Sequence, residues 1–159
     1  MYRRTPLIVG LLILAVFLSG STLTQTSVGN LVLSGGTALP GIGVTQWCSP
    51  HVSAQANATV CGGAQTLANQ FTVGFRGTAL SIAAFTDAAP GAAISFTLVW
   101  NGLDTAITCS IPAGGNSCGD TTHPFLILEN QPLRVKVVTG NPQNAAVMAW
   151  KVVLGPPNQ

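Results

Sequence analysis

The sequence predicts an all-β fold, an antiparallel β-sandwich preceded by an N-terminal signal or anchor helix. Three observations carry this expectation. After the first 21 residues the chain breaks into short apolar or alternating runs separated by turn residues. No window long enough for a helix carries helical periodicity there. The runs recur every ~8–12 residues, the spacing of sandwiches and barrels, and their number fits a jelly-roll-like count of about eight strands.

The N-terminus stands apart. Arg3 and Arg4 precede the unbroken apolar run Leu7–Leu18, and Ser19, Gly20 and Ser21 follow. A basic start, a short apolar run and small residues make a secretory signal peptide. Cleavage after Ser21 is expected; an uncleaved signal anchor is the alternative for residues 1–21. Residues 22–43 are uncharged and rich in Gly, Ser and Thr. They read as an arm or a first edge strand, with a strand-like core at Leu31–Leu33. The sandwich proper is expected over residues 44–155. Its strands are "IGVTQW", "FTVGF", "ALSIAAF", "AISFTLVW", "TAITCSI", "PFLIL", "PLRVKVV" and "AVMAWKVVL". In the last two, Leu133, Val135, Val137, Met148, Trp150, Val152 and Leu154 alternate inward against outward Arg134, Lys136 and Lys151.

Asn101-Gly102 is a strong hairpin signal, because both central residues of a type I′ turn need positive φ. Pairing Trp100 with Leu103 sets Leu98 opposite Thr105, Phe96 opposite Ile107 and Ile94 opposite Cys109. A second turn at "PAGG", 112–115, pairs Ile111 with Asn116 and sets Cys109 opposite Cys118. The expected product is a three-stranded meander. One face carries Ile94, Phe96, Leu98, Trp100, Ile107, Cys109, Ile111 and Cys118. The other carries Ser95, Thr97, Thr108, Ser110 and Ser117.

Four cysteines behind an export signal read as disulfides. The register favours Cys109–Cys118 and leaves Cys48–Cys61. A zinc reading would use Cys48, His51, Cys61, Cys109, Cys118 and His123, but metal sites show tighter ligand pairs. No metal and no cofactor is expected. The same register stands His123 opposite Asp104 on the outer face. That could be an orienting Asp–His pair for base catalysis or an ordinary cross-strand polar pair. Four acids in all leave little for paired-carboxylate chemistry, and the chain is not expected to be an enzyme.

Arg76, Arg134, Lys136 and Lys151 balance Asp87, Asp104, Asp120 and Glu129 once residues 1–21 are removed. The net charge of +2 belongs to the signal. A neutral domain offers no phosphate-binding patch, which argues against nucleic-acid binding. Charged residues make up 6% of the chain, against about 25% in ordinary domains. Such a surface suits an extracellular setting and packing against identical copies. Trp47, Trp100 and Trp150 are candidates for a sugar-stacking platform. Apolar alternation places Trp100 and Trp150 in the core instead, while Trp47 shares a face with Thr45. Asn57 opens a formal N-glycosylation acceptor.

The segment from Gly77 to Leu154, with "APG", "SFTLVWNG", "TAITCSI" and the terminal "AWKVVL", resembles a jelly-roll β-sandwich domain. That domain occurs in many uncharacterised bacterial, environmental and phage-associated surface proteins. Glu129-Asn130-Gln131 stands where those proteins carry Gly-Asp. The architecture is similar to tumour-necrosis-factor and complement-type globular heads. The resemblance implies trimers or larger assemblies on surfaces, with no catalytic residues. The expected function is a secreted or surface-tethered structural or adhesive module that self-assembles through uncharged faces. The alternatives are a carbohydrate-binding module with a surface glycan or protein ligand and, behind it, a hydrolase. Membrane contact is expected only through an uncleaved N-terminus.

Overall fold

Strands with one apolar face must bury it, and two sheets laid face to face do so. A computed structural model describes residues 29–51, 61–65, 70–140, 145 and 147–156. The signal or anchor segment 1–21, residues 22–28 and the acceptor Asn57 lie outside the described residues.

Eleven strands are formed in chain order: β1 (Leu31–Ala38), β2 (Thr45–Cys48), β3 (Cys61–Gly62), β4 (Phe71–Val73), β5 (Gly77–Thr86), β6 (Ile94–Trp100), β7 (Leu103–Ile111), β8 (Ser117–Asp120), β9 (Phe125–Ile127), β10 (Gln131–Thr139) and β11 (Val147–Gly155). The described residues contain no helix. All strand pairings are antiparallel. The first sheet runs β1-β11-β5-β8, with β9 also on β5. The second runs β3-β2-β10-β6-β7, with β4 also on β10. Trp150, Val152, Ile82 and Ala84 from the first sheet meet Phe96, Leu98, Val135 and Ile111 from the second in one dry core.

β1 pairs with β11 over its whole length and buries Leu33. The sandwich therefore starts before residue 44, and the uncharged segment supplies an edge strand. At the β6–β7 turn, Asn101 and Gly102 have φ of 48° and 82°, and Trp100 pairs with Leu103. The register then departs from the expectation. Val99 faces Asp104 but Thr97 faces Thr108, so Leu98 lies opposite Thr105, Ala106 and Ile107. Thr105 fills this bulge. Its Oγ1 donates to the Leu98 carbonyl at 2.8 Å and accepts from the Ile107 NH at 3.2 Å. The shift is even, so the faces survive it: Ile94, Phe96, Leu98, Ile107 and Ile111 are fully buried. Phe96, not Ile94, stands opposite Cys109.

The expected three-stranded meander does not form. Gly114, with φ of 82°, and a bond from the Gly115 NH to the Pro112 carbonyl make a tight turn after β7. Beyond it the chain leaves the second sheet. The Asn116 carbonyl accepts from the Thr86 NH, and β8 zips onto β5 with Ser117 beside Phe85 and Cys118 beside Ala84. Cys118 keeps its inward parity in either sheet, so alternation alone does not separate the two arrangements.

Candidate functional site

The corner between β7 and β8 is built from polar and sulfur chemistry. Cys109 and Cys118 form a disulfide with Cα atoms 5.7 Å apart. Because β7 and β8 belong to different sheets, this is a bridge between sheets and not a staple inside one. Cys48 and Cys61 form the second disulfide, between β2 and β3, with Cα atoms 4.0 Å apart. With all four sulfurs paired, no thiolate remains for a metal. Beside the first bridge, Asp120 ends β8 with its side chain turned inward and 8% exposed. Its Oδ2 accepts the Thr108 NH of β7 at 3.1 Å. Its Oδ1 accepts the Thr122 NH and hydroxyl, each at 2.9 Å. Burial pushes this carboxyl up. Hydrogen bonds from Thr122, His123 and Thr108 outweigh burial and hold it well below the usual carboxylate range.

His123 completes the cluster, its Nδ1 2.9 Å from Asp120 Oδ2. The expected pairing with Asp104 is therefore corrected. Asp104 lies on the second sheet opposite Val99 and forms an ion pair with Lys136. His123 follows a strand of the first sheet. The crossing at the "PAGG" turn separates the two residues. The Asp120–His123 arrangement orients an imidazole, which is 56% exposed. Among the described residues no hydroxyl or thiol bonds to its other nitrogen.

The three tryptophans do not form a platform. Trp150 is 1% exposed and sits in the core. Trp100 is half-buried on the inner side of the second sheet, edge-on to Phe125 with centroids 5.5 Å apart. Trp47 pairs with Lys136 on the outer side of the second sheet and is half-buried. It is flanked there by hydroxyl rows, with Thr97 Oγ1 3.0 Å from Thr108 Oγ1 and Ser95 Oγ donating to Ser110 Oγ at 3.4 Å.

The outer side of the first sheet has a different character. Val32, Phe85 and Val147 are each about half exposed, at 50%, 49% and 48%. Their register neighbours Val153, Gly36, Ala149 and Ala38 are small or apolar. Two charges border them, Lys151 and Asp87, whose carboxylate accepts the Val147 NH at 3.0 Å. A shallow depression of about 430 Å³ is lined by Ser34, Gly35, Gly36, Phe85, Ala149, Trp150 and Lys151. Two features escaped sequence reasoning. The Asp-x-Thr pattern at 120–122, an Asx-turn signature, could have marked Asp120. The outward parity of Phe85 in "ALSIAAF" could have marked the apolar face.

Neither known family descriptions nor curated proteins match this chain.

Proposed function

We propose that this protein is a secreted or surface-tethered structural module that assembles with copies of itself and works by adhesion, not catalysis. The observation that carries the reading is the outer face of the first sheet. Val32, Phe85 and Val147 lie exposed on a surface whose charges are Lys151 and, beside Val147, Asp87. Contiguous exposed apolar surface on a water-soluble domain marks an interaction site. The two disulfides fit an oxidising compartment.

The finer architecture in this reading is jelly-roll-like. Its support is the alternation of the chain between sheets: β5 in the first, β6 and β7 in the second, β8 and β9 in the first, β10 in the second, β11 in the first. That pattern is in keeping with the resemblance to surface-protein jelly rolls, and trimers or larger assemblies follow from the same likeness.

Light scattering coupled to size exclusion tests the reading on the full chain produced by secretion. Association that rises with concentration is expected, and Phe85→Lys is expected to weaken it. A monomer at every concentration would overturn the proposal.

One observation favours a second reading, glycan binding on the opposite face. Trp47 lies beside Lys136, which pairs with Asp104 and stands opposite Thr97 of the Thr97–Thr108 and Ser95–Ser110 hydroxyl rows. Oligosaccharide titration followed by tryptophan fluorescence, with Trp47→Ala as the comparison, decides it. A signal that survives Trp47→Ala counts against this face.

A further inference from the structure

An edge strand presents unpaired NH and C=O groups that accept another strand, so soluble proteins shorten, charge, bulge or cover their edges. Among the described residues, every sheet edge but one is managed in that way; β4 and β9, beside β2 and β8, are only three residues long. At one side, β7 and β8 close on each other through the Cys109–Cys118 bridge and the bond from the Thr108 NH to Asp120. The far end of the second sheet is β3, only two residues long and held by Cys48–Cys61. The remaining edge among the described residues is β1. It is eight residues long, carries no charge and no proline, and pairs with β11 without a bulge.

We propose that β1 is a strand-addition site and that its occupant is β1 of a second copy, paired antiparallel about a two-fold axis through Gly35. The choice of a copy rests on the self-assembly reading above; the openness of the edge does not. In such a pair the two faces match only when the axis passes through a residue, because side chains alternate with period two. An axis through Gly35 sets Leu33 opposite Thr37 and Leu31 opposite Leu39 on the inner side. On the outer side it sets Val32 opposite Ala38 and Ser34 opposite Gly36. Every outer pair is then small or apolar, and no charge meets a like charge. Lys151, the nearest one, stands one strand in, opposite Ser34. An uncharged edge gives a charged peptide nothing to recognise and is complementary to itself. The pairing also makes the apolar outer faces of two copies continuous, so one association extends the surface used by the next.

The test uses the full chain carrying Val32→Cys and Ala38→Cys together, oxidised in dilute solution and followed by non-reducing mass spectrometry. A cross-linked dimer joining positions 32 and 38 is expected in the double variant and in neither single variant. Intact Cys48–Cys61 and Cys109–Cys118 peptides report that it folds. Assembly in light scattering without the cross-link would overturn edge pairing and leave the face reading standing. That outcome includes the case where residues 22–28 occupy the edge. Cross-linked dimers that persist in a Phe85→Lys background while larger assemblies disappear would uphold both readings, and larger assemblies that persist there would sink the face reading alone. A monomer without cross-link sinks both. If the cysteine variants do not fold, hydrogen exchange on the unaltered protein decides. Protection of β1 amides should rise with protein concentration, and protection that stays constant overturns the proposal.

Discussion

Asp120 shows how one side chain links acid chemistry to the fold. Its carboxylate holds the Thr108 NH of an edge strand and the Thr122 turn at once. Its proton affinity is lower folded than unfolded, so its contribution is complete above the unfolded carboxylate pKa of about 4. That contribution is lost as pH falls below this value. Asp120→Asn should cost about 1–3 kcal/mol at neutral pH, the penalty for weakening buried charge-assisted bonds. It should also flatten the acid limb of stability relative to the unaltered protein. Urea unfolding from about pH 6 down to pH 2 measures both effects; parallel acid limbs would remove Asp120 from the account. Gly35 is a second residue with a defined role. A Cβ there would lie 2.7 Å from the Trp150 ring, so β1 reaches its position because the indole occupies that space. Gly35→Ala should destabilise by about 1–3 kcal/mol through overpacking. Gly63→Ala, where a Cβ would meet nothing within 4 Å, should be near neutral. Thermal melts of the two variants make the comparison. Asp120 was legible only as a local turn pattern. Its reach to Thr108 depends on two strands meeting at a corner, which sequence spacing does not encode.

At the scale of elements, the strands themselves were largely legible. Asn101-Gly102 placed the β6–β7 turn, and alternation named the buried side of the hairpin. The bulge opposite Leu98 was not legible, because a two-residue slip preserves every face and leaves no trace in the pattern. The cysteine pairing was correct while its setting was not: the bridge spans β7 and β8 across two sheets. This changes what its removal does. Replacing Cys109 and Cys118 by alanine should cost about 2–3 kcal/mol in the chain-entropy account of a short loop. It should also loosen the corner before the rest. Hydrogen exchange is expected to rise first in β7 and β8 while β10 and β11 stay protected. Uniform loss of protection would show that the bridge stabilises only globally. The expected Asp104–His123 pair failed for the same reason that the meander did.

For the whole molecule, the proposed function lies in its surfaces. On the proposed self-association through Val32, Phe85 and Val147, the weakly charged domain should bind itself with little sensitivity to salt. Screening weakens only charge-mediated contacts, while apolar burial persists or strengthens with kosmotropic salts. Light scattering at low and high sodium chloride checks this; dissociation on adding salt would point to charge pairs instead. Composition indicated a weakly charged surface. It did not foretell which face would be apolar, because Phe85 and Val147 belong to strands whose inner sides are apolar as well.

What the sequence by itself determined is local: the strand character, the inward and outward sides including the inward parity of Cys109 and Cys118, and the type I′ turn. Each follows from steric preference at single residues or from the period-two geometry of a strand. What only the tertiary structure decided is membership. It decided which sheet β8 joins, that Cys109–Cys118 bridges two sheets, that Asp120 and not Asp104 meets His123, and that β1 is the long outer strand of the first sheet among the described residues. The two sheets present the same alternating pattern to the same core, so membership is settled by which edges close in space.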